Sequence, residues 1–168
     1  MKRATKAGFT LVEIMIVVAI IALLAAIAIP NVLRGRLTAN ESAAIGNLRA
    51  MISSLEMYRS VYGAYPQRAN WNTQMYVPQP PFGPPSFSAA TLGSSGLGVQ
   101  GYQYIYTDGS SSQSYVLTAG PVTSGRTGSR GFRTSEQGTI QHCSSLADLQ
   151  FPDGTGDLTI DTTPQNCP

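Results

Sequence analysis

The sequence predicts an α+β fold: a long, bent N-terminal helix whose distal half packs on a four-stranded antiparallel sheet. Three observations predict it. Residues Ile14 to Ile29 are sixteen apolar side chains in a row, an apolar stripe at helical spacing follows them, and from Tyr102 the apolar positions alternate.

The apolar run comes first. Extended back to Phe9 it covers 21 residues, about 31 Å as a helix at roughly 1.5 Å per residue, which matches a hydrocarbon core of about 30 Å. Between Phe9 and Leu33 the one charge is Glu13. A carboxylate at membrane depth is unfavourable and usually functional. Lys2, Arg3 and Lys6 precede the run and should hold the N-terminus in the cytoplasm. Arg34 and Arg36 beyond it weaken that bias without reversing it. A cleaved secretory signal also begins basic, but its apolar region is shorter and ends in a small-x-small site. Ala26-Ile27-Ala28 keeps that competing reading on the page.

After Pro30 the pattern turns amphipathic. Leu33, Leu37, Ala44, Leu48, Met51, Leu55, Tyr58 and Tyr62 fall on one stripe of a 3.6-residue period. Polar residues lie between them, including Arg36, Asn40, Glu41, Asn47, Arg49 and Arg59. Gly63 and then Pro66 are stop signals. Proline inside a helix removes a donor and clashes one turn back, so a bend is expected at Pro30.

Residues 67–100 carry five prolines and a Gly/Ser run, and they read as a long surface loop with some extended structure. Strands are expected at Tyr102–Thr107 and Ser114–Ala119 around a turn at Asp108-Gly109-Ser110. A second pair is expected at Gly131–Thr134 and Thr139–His142, turning near Gly138. The segment from Ser144 carries Asp148, Asp153, Asp157 and Asp161 and no Lys or Arg. It reads as an irregular loop. Cys143 and Cys167 are the two cysteines of the chain, and an even count behind a membrane-targeting N-terminus favours a disulfide formed outside the cytoplasm over two free thiols.

Composition narrows the function. The chain has 168 residues, 12% of them charged, about half the usual share. Without Lys2, Arg3 and Lys6 the balance is 8 basic against 9 acidic residues, so the basic character belongs to the N-terminus and no nucleic-acid partner is expected. Arg126, Arg130 and Arg133 make only a modest basic patch. With one histidine, His142, and no C-x-x-C motif, neither zinc nor a catalytic group arrangement is indicated. The acidic residues near Asp153 lack the spacing of an EF-hand calcium loop. Trp71 and the tyrosines read as packing residues.

Gly8-Phe9-Thr10-Leu11-Val12-Glu13, followed at once by the apolar run, resembles the prepilin signal of type IV pilins and type II secretion pseudopilins. The resemblance implies a leader of residues 1–8, cut after Gly8 by a prepilin peptidase, and N-methylation of Phe9. It also implies that Glu13 neutralises the new amine of a neighbouring subunit during assembly. On the residues alone, Glu13 could instead reach water or pair with its own N-terminus. Pro30 stands where the family has a helix-bending proline, whereas Ala22 replaces the glycine that helps the helix melt before it. Tyr62-Gly63-Ala64-Tyr65-Pro66 is similar to the end of the long helix in pseudopilins and minor pilins. The proline-aspartate-proline-tryptophan-glycine stretch of the major pseudopilin is missing.

The reading from sequence is therefore a leader (1–8), a transmembrane and assembly helix (9–30), an amphipathic helix (31–62) and a loop-rich β-sheet head (63–168) closed by Cys143 and Cys167. Its expected role is that of a structural filament subunit of the pilin fold, not an enzyme, and without a cofactor. Expected partners are copies of itself or other pilins, a prepilin peptidase, an inner-membrane assembly platform and the lipid bilayer. A type II pseudopilin, or a single-span anchor presenting a binding domain, are the alternatives.

Overall fold

The computed structural model describes residues 9–87, 98–109 and 112–143. They form helix α1 (Leu11–Tyr62), a short helix α2 (Trp71–Met75) and strands β1 (Tyr102–Asp108), β2 (Tyr115–Pro121), β3 (Gly131–Ser135) and β4 (Gln141–Cys143). Two compact units share the chain, one ending at Arg36 and the other beginning at Leu37.

In the first unit α1 is apolar on every side, and its large side chains are exposed among the described residues. Ile14, Ile16, Val18, Ile20, Leu23, Ile27 and Ile29 are all more than half exposed. The helix continues through Pro30 without interruption. Among the described residues, α1 is the one helix long and apolar enough to cross a membrane.

The second unit is built around one face of the sheet. The strands form an antiparallel meander in the order β1-β2-β3-β4, the topology expected from short turns between alternating segments. Tyr102, Tyr104 and Tyr106 alternate along β1 and are buried, as are Tyr115, Leu117 and Ala119 on β2. Register sets large against small: Tyr104 lies opposite Ala119, which lies opposite Phe132 of β3. Ala44, Leu48, Met51, Leu55 and Tyr58 of α1 close the core over that face. At the helix end Gly63 takes φ +74° and its N–H donates to the Arg59 carbonyl at 2.8 Å, the left-handed stop that only glycine takes without strain.

Several expectations change here. Residues 67–100 do not read through as loop: α2 and two single 3₁₀ turns lie within residues 67–87, and Trp71, Met75 and Phe87 enter the core. A five-residue helix flanked by prolines offers too few periods to show in sequence. The last strand is Gln141–Cys143 instead of Thr139–His142. The turn closed by the Gly138 N–H on the Ser135 carbonyl, with φ +72° at Gly138, leaves Thr139 and Ile140 outside the ladder. Leu33 and Tyr62, the ends of the expected stripe, are exposed, and Glu41, expected among its polar neighbours, is buried.

Candidate functional site

The first turn of α1 holds the sequence-derived site. Phe9 is 87% exposed, and Gly8 lies outside the described residues. Thr10 is the residue before the helix, and Glu13 is the third residue inside it. The Thr10 N–H and hydroxyl both donate to Glu13 Oε2 at 2.8 Å, while the Glu13 N–H donates to Thr10 Oγ1 at 3.3 Å. This is a reciprocal capping box, and it satisfies donors that a helix start otherwise leaves open. Thr10 was not singled out in the sequence, although Thr10-Leu11-Val12-Glu13 directly before an apolar run carries the required pattern.

The geometry assigns Glu13 a partner three residues away on its own chain. In the uncut chain the Phe9 nitrogen is a peptide nitrogen, so pairing with its own terminal amine has no counterpart here. The carboxylate is exposed to whatever surrounds the helix, and a second, outside partner is sterically open to it.

The second unit holds a carboxylate of the opposite kind. Glu41 is 5% exposed. Its Oε1 accepts from the Ser129 N–H at 3.0 Å and hydroxyl at 2.8 Å, and its Oε2 accepts from Arg130 Nε at 2.9 Å and a terminal guanidinium nitrogen at 2.6 Å. Burial alone would raise its pKa, but the Arg130 and Ser129 hydrogen bonds outweigh it and hold the carboxyl below its ordinary value. Beside it Asn40 Nδ2 donates to the Thr127 carbonyl at 2.8 Å. Arg130 is thus engaged inside the unit and does not belong to an open basic patch. No local pattern marks Glu41 in sequence, because its partners are 88 and 89 positions away.

The remaining expected residues are scattered. Pro30 sits in the uninterrupted part of α1. Cys143 ends β4, is fully buried and is not a free thiol, whereas Cys167 lies outside the described residues. His142 is exposed on β4. Two of the core tyrosine hydroxyls are bonded structurally: Tyr106 donates to the Pro66 carbonyl at 2.7 Å, and Asn47 donates to Tyr104 Oη at 3.0 Å; the buried Tyr115 hydroxyl has no hydrogen-bond partner among the described residues. Burial pushes Tyr104 and Tyr76 up to about 12, so these phenols stay neutral. Among the described residues no group of three or more His, Cys, Asp and Glu could hold a metal ion.

Comparison with known proteins bears on both units. A sequence model of the prokaryotic N-terminal methylation motif matches residues 3–29. The chain is 34% identical to type II secretion system core protein G of Pseudomonas aeruginosa over 101 residues, covering 50% of this chain and 71% of that protein. It is 46% identical to the type IV major pilin protein PilA of Myxococcus xanthus over 63 residues, 38% of this chain and 29% of the relative. It is 45% identical to the type IV wide pilus major component PilA4 of Thermus thermophilus over 58 residues, 34% of this chain and 44% of the relative. The chain thus spans less than half the length of each of those two pilins. No solved structure matches it significantly.

Proposed function

From the premise that this chain belongs to the type IV pilin and type II secretion pseudopilin family, we propose that it is a structural subunit of a type IV pilus or pilus-like filament. The observation that carries the proposal is the continuity of Gly8-Phe9 and Glu13 with a helix whose apolar side chains are exposed on every side. A segment of that kind is stable in lipid or in the middle of a bundle of its own copies, and unfavourable in water. Two environments for one segment are what a subunit needs if it waits in a bilayer and then polymerises.

In this reading the subunit rests in a bacterial inner membrane as a single span with its N-terminus in the cytoplasm. A prepilin peptidase removes residues 1–8 and Phe9 is methylated. An assembly platform then moves the chain into a filament, where copies of the 9–29 segment pack together and the heads face outward. Glu13 balances the methylated amine of a neighbour, and Pro30 lets the helix adjust to its neighbours. Cys143 and Cys167 join in the oxidising compartment; closing a loop of about 25 residues stabilises by roughly 3 to 4 kcal/mol in the chain-entropy model. The pseudopilin reading has one observation in its favour: the alignment to core protein G extends over 101 residues, further than those to the two pilins.

Intact-mass measurement on surface filaments from the native cell tests this. The expected mass lacks residues 1–8, carries one methyl group and is lower by two hydrogens for the disulfide. Filaments built from a chain that retains Met1 to Gly8 would overturn the processing scheme.

A further inference from the structure

The apolar part of α1 is bounded by a charge at each end. Glu13 is the last charge before it and Arg34 the first after it, 21 positions on, and the helix runs between them without a break. That spacing is about 31 Å at roughly 1.5 Å per residue, the thickness of a hydrocarbon core. The large apolar side chains in between, from Ile14 to Leu33, are all more than half exposed. A segment of that length and surface calls for lipid around it. Beyond it comes a short basic collar, Arg34-Gly35-Arg36, and then Leu37, the partly buried first residue of the second unit.

The geometry of the collar adds the second observation. Arg34 and Arg36 are exposed. Two positions apart on a 3.6-residue period, they lie about 200° apart around the helix axis, so one packed element beside the helix would face only one of them. On the residue between them, a Cβ added at Gly35 would meet nothing within 4 Å. Among the described residues Arg36 pairs with no carboxylate.

We propose that Arg34 and Arg36 bind the phosphates of phospholipids at the far face of the bilayer, and that this contact sets the depth of the span so that Glu13 and its Thr10 cap lie at the opposite interface. The inference rests on the membrane-resident stage proposed above. A guanidinium group matches phosphate oxygens two at a time. A bilayer supplies phosphates on every side of a helix, as a pair of arginines on opposite sides requires, and a single protein neighbour does not. Arginine stems also lie along apolar surface while their charged heads stay among polar groups, so both residues can reach the headgroup layer from the end of the span. The same spacing spares the carboxylate. With Arg34 at the phosphates, Glu13 stays hydrated while the chain waits and avoids the cost of a charge inside the hydrocarbon. Entry into a bundle of other copies then removes both contacts, lipid from the arginines and water from Glu13.

Solid-state NMR of the full-length, uncut chain in vesicles of phosphatidylethanolamine and phosphatidylglycerol tests this, with isotope-labelled arginine and glutamate. Lipid phosphorus should dephase the guanidinium carbon signal, and the double variant Arg34→Gln, Arg36→Gln should lose at least half of that dephasing. An unchanged signal would overturn the proposal, because the phosphate contact would then belong to other arginines. In the parent chain, water should transfer magnetisation to the Glu13 carboxyl, identified by the signal missing from Glu13→Gln. A Glu13 carboxyl screened from water would overturn the depth assignment. Alkaline washing of the vesicles separates this inference from the membrane reading beneath it. A chain that washes off refutes both, whereas a chain that stays inserted without the phosphate contact refutes the collar alone.

Discussion

Glu13 and Glu41 lie on one helix and have opposite surroundings. Glu13 is in an apolar stretch whose side chains are exposed, and its partner is Thr10, within its own turn. Glu41 is in the packed unit, and all four of its hydrogen bonds come from Ser129 and Arg130 on a distant loop. A carboxylate satisfied by its own turn contributes to the start of a helix and leaves the rest of the fold indifferent to it. One satisfied across the fold is a folding residue. So any stronger requirement for Glu13 has to come from another molecule, whereas Glu41 needs none.

The largest effect that could break this contrast is on assembly. The capping box accepts glutamine in place of glutamate, so Glu13→Gln keeps the bond from Thr10 and removes only the charge. Thr10→Ala does the reverse. If Glu13 pairs with the amine of a neighbour, Glu13→Gln should lower filament yield by roughly a hundredfold or more, as for breaking a buried ion pair. Thr10→Ala should leave yield nearly intact. Surface filament measured against the processed membrane pool decides it. Equal loss from both variants would show that the cap, and not the charge, is what assembly requires.

Next in size is the head. Glu41→Ala should cost about 2 to 3 kcal/mol of unfolding free energy, below the roughly 3 to 5 kcal/mol of a fully buried pair because Arg130 reaches water. Denaturant unfolding followed by the fluorescence of Trp71, buried in the same core, would measure it. A loss under about half a kcal/mol, the range of ordinary surface changes, would place Glu41 with Glu13 as a locally satisfied residue.

The same contrast explains how much could be read from sequence. Periodicity located α1 to within two residues at its start and at Tyr62 at its end, and it found all four strands. Those signals are repeated over many residues, and glycine at position 63 marks a conformation that other residues avoid. The Glu13 turn was half legible: its charge stood out against an apolar run, while its cap needed Thr10 to be considered with it. Glu41 was invisible, because a polar residue on a helix looks solvated until a loop 88 positions on folds over it. Leu33 is exposed for the converse reason, since a stripe shows which residues share a face and not which of them are buried. Trp71 enters the core as the packing residue it reads as, whereas Met75 and Phe87 read as loop because prolines dominate the composition around them, although both are buried in the core.

The smallest effect is on pH dependence, and it isolates the charge of Glu41 from its shape. In the folded head the carboxyl is held below its ordinary value, since the Arg130 and Ser129 bonds to the ionised form outweigh the penalty of burial. A group with a lowered folded pKa binds its proton more readily when unfolded, so it stabilises the fold above its unfolded pKa. That contribution is lost as pH falls through the folded pKa. Glu41→Gln keeps nearly the same volume but cannot ionise, so it should be less stable than the parent at neutral pH. The gap should begin to narrow as pH drops into the ordinary carboxylate range, where the unfolded parent takes up its proton, and close as pH falls through the lower folded pKa. Unfolding midpoints of both proteins from pH 7 to about pH 3 would show two curves that converge toward acid. Parallel curves would mean that Ser129 and Arg130 hold the residue by hydrogen bonding that a neutral amide reproduces, and the charge of Glu41 would then have no part in fixing the loop to the helix.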